Sequence, residues 1–81
     1  MGILNEKIEG KIISVNIQST NLKSATYDTE NKKLTMIFNS GNIYEYDNVP
    51  WELFTKFRMS ESQGKFFNSN IARAFTYKKV K

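Results

Sequence analysis

Two short stretches of this 81-residue chain carry the side chains best suited to holding a ligand. The first is Ser60-Glu61-Ser62-Gln63-Gly64-Lys65, which reads as the start of a helix. A helix start presents free backbone N–H groups and a partial positive charge, so it can hold a phosphate or carboxylate. Ser60 opens the stretch, Ser62 adds a hydroxyl, Gly64 lets a ligand approach the backbone, and Lys65 adds charge. Arg58 and Arg73 extend the basic set. The stretch is not a P-loop, because the Gly-x-x-x-x-Gly-Lys-Ser/Thr spacing is absent. The same residues also make an ordinary helix cap, and that alternative stands beside the anion site.

The second stretch is Tyr44-Glu45-Tyr46. Alternate residues of a strand share a face, so the two phenol rings lie side by side. Bases stack on such platforms for about 1–3 kcal/mol each. The alternative is a core or oligomer-interface role beneath the helices. Trp51 and Phe54 follow closely and need a surface to cover, so at least one tyrosine is expected in the structural role.

Absent residue types narrow the chemistry further. The chain has no His and no Cys, which removes the imidazole base, the thiolate nucleophile and the soft metal ligands. Glu45, Asp47 and Glu52 are close in sequence, but nothing sets them as an acid/base pair. No catalytic residue, metal or cofactor is therefore expected, and a hydrolase is the last choice. The opening Met-Gly-Ile-Leu-Asn-Glu has no long apolar run, so neither a signal peptide nor a membrane span is expected, and a cytoplasmic location is the default.

Charge is unevenly placed. The formal total is +4, yet residues 1–55 carry five basic and seven acidic groups while residues 56–81 carry seven and one. Such asymmetry offers one end to an anionic partner, or simply solubilises it. Lys78, Lys79 and Lys81 face the same two alternatives.

Positioning these residues requires a single small domain. At this length a core is modest, and without cysteines the deficit falls to aromatic packing, oligomerisation or both; six Phe, four Tyr and one Trp are present. Residues 1–9 read as a polar lead-in. From Lys11 the pattern alternates, with Ile13, Val15 and Ile17 on one face. Leu22 to Tyr27, Lys33 to Phe38 and Ile43 to Tyr46 follow as strands with short links, giving an antiparallel meander. Gly41 in Asn-Ser-Gly-Asn supplies the positive φ of the last hairpin.

After Pro50 the period becomes helical: Pro50, Leu53, Phe54 and Phe57 form an i, i+3, i+4, i+7 stripe. Asn48 or Asp47 is the expected cap, Trp51 is placed to cover the tyrosine hairpin, and the helix should end near Met59. A second helix starts either at a capping box of Ser60 and Gln63 or at Ser62. Phe67, Ile71 and Ala74 or Phe75 make its apolar stripe. Phe75 to Lys81 alternates as a lysine-blunted edge strand does. The fold class is thus α+β, a small meander of four to five strands against two short C-terminal helices.

Tyr27-Asp28, Leu34, Phe38, Gly41, Tyr44-x-Tyr46, Val49-Pro50, Ser62-x-Gly64-Lys65-Phe66-Phe67-Asn68 and Ile71, in this order, resemble the KTSC domain. That family is named for its occurrence at the C-terminus of some lysyl-tRNA synthetases. The resemblance runs from about Ser19 to Tyr77 and leaves the strand over 11–18 outside. It implies a small α+β domain, often free-standing in bacterial and phage proteins, and an RNA-binding role has been suggested for it. It brings no catalytic residues. Residues and resemblance together lead to a non-enzymatic binder of a phosphate-bearing nucleotide, expected as a small homo-oligomer with a pocket between subunits. Such a pocket would suit a phage counter-defence protein. An RNA-binding module using the basic C-terminal face is the alternative, and a protein-interaction module the third.

Overall fold

Six strands and two helices follow one another in a computed structural model that describes residues 2–81. The strands are β1 (Gly2–Glu9), β2 (Ile12–Gln18), β3 (Leu22–Asp28), β4 (Lys33–Phe38), β5 (Ile43–Tyr46) and β6 (Tyr77–Lys79). The helices α1 (Trp51–Met59) and α2 (Gln63–Asn70) lie in sequence between β5 and β6. All strands are antiparallel to their neighbours, in the spatial order β1-β2-β3-β4-β5-β6. The α+β class, the meander and the helices after the strands are as the periodicities require.

The alternation of β2, β3 and β4 places Ile13, Val15, Ile17, Ala25, Tyr27, Leu34 and Met36 on one buried face. Leu22 joins it because the register shifts between Leu22 and Ser24; the extra residue turns Leu22 to the same side. Two cross-strand rows organise this face. Ile13, Tyr27, Leu34, Tyr46 and Tyr77 are successive partners across five strands, and Val15, Ala25, Met36, Tyr44 and Lys79 form the adjacent row. Phe54 and Phe57 from α1 and Phe67 from α2 close over the rows, each almost fully buried.

Several local expectations change. Residue 1 of the lead-in expected over residues 1–9 lies outside the described residues, and residues 2–9 are a strand. It pairs with β2 through a two-residue turn in which Gly10 takes φ +60°, a position that favours glycine. Its period-2 signal is lost because Asn5, Glu6, Lys7, Ile8 and Glu9 are all exposed. Neither Asn48 nor Asp47 caps α1. Pro50 occupies the N-cap without a side-chain bond, and Asn48 instead adopts φ +60° to swing the chain out of β5. Trp51 packs on Tyr27 at 6.1 Å between ring centroids, so it covers β3 rather than the tyrosine hairpin. The capping box does not form either: Ser60 is the C-cap of α1, while Ser62 caps α2 by accepting from the Lys65 N–H at 3.3 Å. The stripe of α2 stops at Ile71, its C-cap, leaving Ala74 exposed and Phe75 half-buried beyond the helix.

One contact ties the sheet to the helices. The Tyr27 hydroxyl donates to the Val49 carbonyl at 2.6 Å, and its ring stacks on Phe54 at 4.5 Å and 13°. Removing the hydroxyl leaves a buried carbonyl unpaired, which costs about 1–3 kcal/mol. Tyr27→Phe is therefore expected to unfold at lower denaturant concentration with an unchanged slope, and to melt roughly 4–8 °C lower per kcal/mol lost. Chemical and thermal denaturation measure both.

Candidate functional site

The β4–β5 hairpin ends in a turn where Phe38 N–H donates to the Asn42 carbonyl at 3.0 Å and Gly41 N–H to the Phe38 carbonyl at 2.9 Å. Gly41 has φ +96°, as the turn demands. This hairpin stands opposite α2 and the residues that follow it, and a groove of about 420 Å³ lies between them, lined among others by Phe38, Tyr44, Tyr46, Phe67, Arg73 and Tyr77.

Five of these side chains form a closed ring of aromatic contacts. Phe38 meets Tyr44 at 5.6 Å, Tyr44 stacks on Tyr77 at 5.6 Å and 6°, and Tyr77 meets Tyr46 at 5.4 Å. Tyr46 meets Phe67 edge-on at 5.4 Å and 84°, and Phe67 returns to Phe38 at 5.7 Å. Edge-on and offset arrangements are favoured for such rings, so the floor is rigid without being sealed. Tyr46 and Phe67 are buried, Phe38 and Tyr44 half-buried, and Tyr77 about half exposed. Parts of the Phe38, Tyr44 and Tyr77 rings are thus left accessible beside a packed base. Burial holds the Tyr46 hydroxyl in its protonated form, its pKa pushed up to about 12, with Tyr77 and Tyr44 adding to the effect.

The predicted site residues do not come together in one place. Tyr44, Tyr46 and Arg73 come together in the groove. Ser60, Ser62 and Lys65 lie elsewhere, along a shallow surface with Phe66, Ser69 and Asn70. The helix period explains the split: Gly64 and Asn68 form one i, i+4 row of α2, and Lys65 and Ser69 form another. Gly64 lines a second cavity that shares Phe38, Ser40 and Asn68 with the groove, and a Cβ there would meet Ser19 Oγ at 3.4 Å. Its close approach is therefore to the β2–β3 connection.

At the helix start the polar groups already serve the fold. Ser62 caps α2, and the buried Gln63 donates through Nε2 to the carbonyls of Ser60 at 2.9 Å and of Phe57 and Arg58 at 3.3 Å. Arg58 is similarly engaged. Its guanidinium pairs with Glu6 Oε2 at 3.0 Å and lies 5.2 Å and 5.0 Å from the ring centroids of Trp51 and Phe54. Of the carboxylates, Asp28 accepts from Glu30 N, Asn31 N and Asn31 Nδ2, and these bonds, that of the Asn31 side chain first, hold its carboxyl below the usual range. Glu45 sits between Lys33 at 3.4 Å and Lys78 at 3.5 Å. Among the described residues no group of three His, Cys, Asp or Glu side chains is placed to hold a metal, and no helix is long and apolar enough to cross a membrane.

Sequence reasoning missed Tyr77 and Phe38 as groove residues and took the tail only as a charged strand. The signal was present: Tyr77 and Lys79 alternate as Tyr44 and Tyr46 do, and the register makes Tyr46 the partner of Tyr77 and Tyr44 the partner of Lys79. Direct partners share a face, so Lys79 stands on the groove side and Lys78 on the other.

A six-stranded meander with two helices on one face and an aromatic groove at its edge defines a small α+β domain. The chain belongs to the KTSC domain family, which matches residues 18–75. It is similar to a KTSC domain protein of Yersinia pestis of known crystal structure, with TM-score 0.81 and 27% identity over 86% of this chain and 99% of that one. It is 39% identical over 54 residues to an uncharacterised protein of Stutzerimonas stutzeri, covering 67% of this chain and 76% of that protein. It is also 32% identical over 59 residues to a lysine–tRNA ligase of Trichormus variabilis, where the match covers 73% of this chain and only 10% of the ligase.

The raised Tyr46 pKa makes a pH-dependent stability term. An ordinary tyrosine titrates near pH 10, so the unfolded chain releases this proton before the folded one does. The contribution is fully present below about pH 10 and is lost as pH rises toward 12, by up to about 1.4 kcal/mol per pH unit. Tyr46→Phe is expected to show a shallower loss of stability across this window than the parent chain, measured by urea unfolding at each pH. Equal slopes would remove Tyr46 as the source.

Proposed function

We propose that the chain is a non-enzymatic binder of a phosphate-bearing nucleotide, and that the ligand lies in the aromatic groove. The observation that carries this is the closed ring of Phe38, Tyr44, Tyr77, Tyr46 and Phe67 with Arg73 on its border. Partly exposed ring faces supply stacking for a base, and a guanidinium is suited to bidentate contact with a phosphate. Lys79, on the same face as Tyr44, adds a second cation. The lining holds no carboxylate, and a tyrosine held near pKa 12 is a poor base at neutral pH; both favour binding over turnover. The groove is built within one chain. Homo-oligomerisation enters the proposal as a way to cover exposed apolar side chains outside the groove, such as Ile8 and Val80, rather than to complete the site. A cytoplasmic setting, and a counter-defence role in a phage, accord with sequestration of a small nucleotide.

RNA is the second candidate ligand, favoured by the relative that is named a lysine–tRNA ligase. It would use the same stacking ring, with the lysines of β6 following the backbone. The dispersal of the C-terminal charges weighs toward the smaller ligand, since Arg58 and Lys78 are already paired with Glu6 and Glu45.

Titration calorimetry with the common ribonucleoside monophosphates tests the proposal. Tyr77→Ala, at an exposed edge position, is expected to weaken binding about 5- to 150-fold, the equivalent of one stacked base. Arg73→Ala should weaken it about tenfold and reduce the salt dependence, while Lys65→Ala leaves it unchanged. Loss on Lys65→Ala with no effect of Arg73→Ala would move the site to the α2 start and overturn the assignment.

A further inference from the structure

The aromatic groove does not end at Phe38. Phe38, Ser40 and Asn68 are shared with a second chamber of about 410 Å³ that runs toward the β2–β3 connection. Its remaining walls are Thr20, Asn21, Leu22, Asn39 and the backbone at Gly64. The two halves differ in kind. One offers ring faces and a guanidinium; the other offers hydroxyls and carboxamides and no charged side chain at all.

Asn39 is fixed by donating from Nδ2 to the Ser19 carbonyl at 2.9 Å. Among the described residues, the carboxamides of Asn21 and Asn68 engage no partner. Neutral groups that both donate and accept fit ribose hydroxyls and base edges. They offer no cation to a second terminal phosphate, while the Ser40 hydroxyl and Asn68 amide at the shared wall are donors for the phosphodiester that joins two nucleosides. Each chamber by itself lies near the lower end of the roughly 300–1,000 Å³ typical of ligand sites, so a single nucleotide in the aromatic half leaves the amide half unfilled. Resting on the nucleotide reading above, we propose that the full groove takes a dinucleotide carrying a terminal phosphate. The phosphate lies against Arg73, the first base on the Tyr44–Tyr77 pair, and the second nucleoside in the chamber of Asn21 and Asn68. The same chemistry is available from a free dinucleotide or from a segment of single-stranded RNA.

Calorimetry on the full chain compares each common ribonucleoside monophosphate with its terminally phosphorylated homodinucleotide and homohexanucleotide. The best dinucleotide is expected to bind about tenfold tighter or more than its mononucleotide. Asn21→Ala, and Gly64→Leu, which fills the amide chamber from α2, should each bring that ratio toward one; circular dichroism confirms that both variants are folded. Equal affinity for mono- and dinucleotide, or a ratio untouched by both variants, overturns the second chamber while leaving the nucleotide proposal intact. No binding of any probe overturns both. A hexanucleotide no tighter than the dinucleotide identifies the free small molecule as the ligand source. One that is about tenfold tighter, with a steeper salt dependence, identifies RNA.

Discussion

The joint between Tyr27 and Val49 is the constraint on which the rest depends. Tyr27 sits in the middle of the sheet on β3, fully buried, and its hydroxyl reaches the carbonyl of the last residue before Pro50. The same short segment is held from the other side, where Val49 N–H donates to the Lys32 carbonyl at 2.9 Å. The exit from β5 is thereby fixed at both its polar groups. Proline then starts α1 in a direction the sheet has set, and its carbonyl accepts from Leu53 and Phe54 at 3.1 Å to begin the helix. Stacking of Tyr27 on Phe54 turns the apolar stripe of α1 onto the centre of the sheet. A buried tyrosine with a satisfied hydroxyl adds both area and direction, which a phenylalanine at this place would not.

With α1 so placed, α2 must follow across a tight connection, and Gln63 makes that connection specific. A helix end leaves carbonyls unpaired; here the two Nε2 protons of one buried carboxamide are shared among those of Ser60, Arg58 and Phe57, the last of which Ser60 also engages. The orientation of α2 follows, and with it which of its rows faces the hairpin. Phe67 is pressed against Phe38 and Tyr46, while Asn68 and Gly64 look into the groove. Thus the groove is a consequence of two polar contacts in the core, one at each end of α1.

Fold and site were legible to different degrees, for physical reasons. Strands β2 to β5 each bury one face, so their alternation was visible, and α1 showed its stripe because Phe54 and Phe57 point the same way. β1 was not visible: among its described side chains only Ile3 is even half-buried, and ladder hydrogen bonds leave no trace in residue type. The cap of α1 was misread because side-chain capping is only one way to begin a helix, and a proline held in place from outside needs none; for α2 the Ser62 alternative is the one that forms. Tyr44 and Tyr46 were singled out as an aromatic pair and Arg73 as an extension of the basic set at the α2 start; the structure lines one groove with all three. Tyr77 was not singled out, because its meaning comes from a register across β5 and β6 that joins residues some thirty positions apart. The Ser60–Lys65 stretch carried the right residue types for an anion, and the fold turns most of their polar atoms inward to cap and brace.

The same local accounting governs the charge. The excess of basic residues after position 55 does not become one basic face. Glu6, from the far edge of the sheet, meets Arg58, and Glu45 meets both Lys33 and Lys78 on the side away from the groove. Charges separated by more than about 8 Å of solvent are largely screened at physiological ionic strength, so the scattered remainder contributes little at any one point. Arg73 is one of that remainder, exposed at the border of the aromatic groove. On the proposed reading, discrimination would come from where Arg73 and Lys79 stand relative to the rings, and hardly at all from the net charge of the chain.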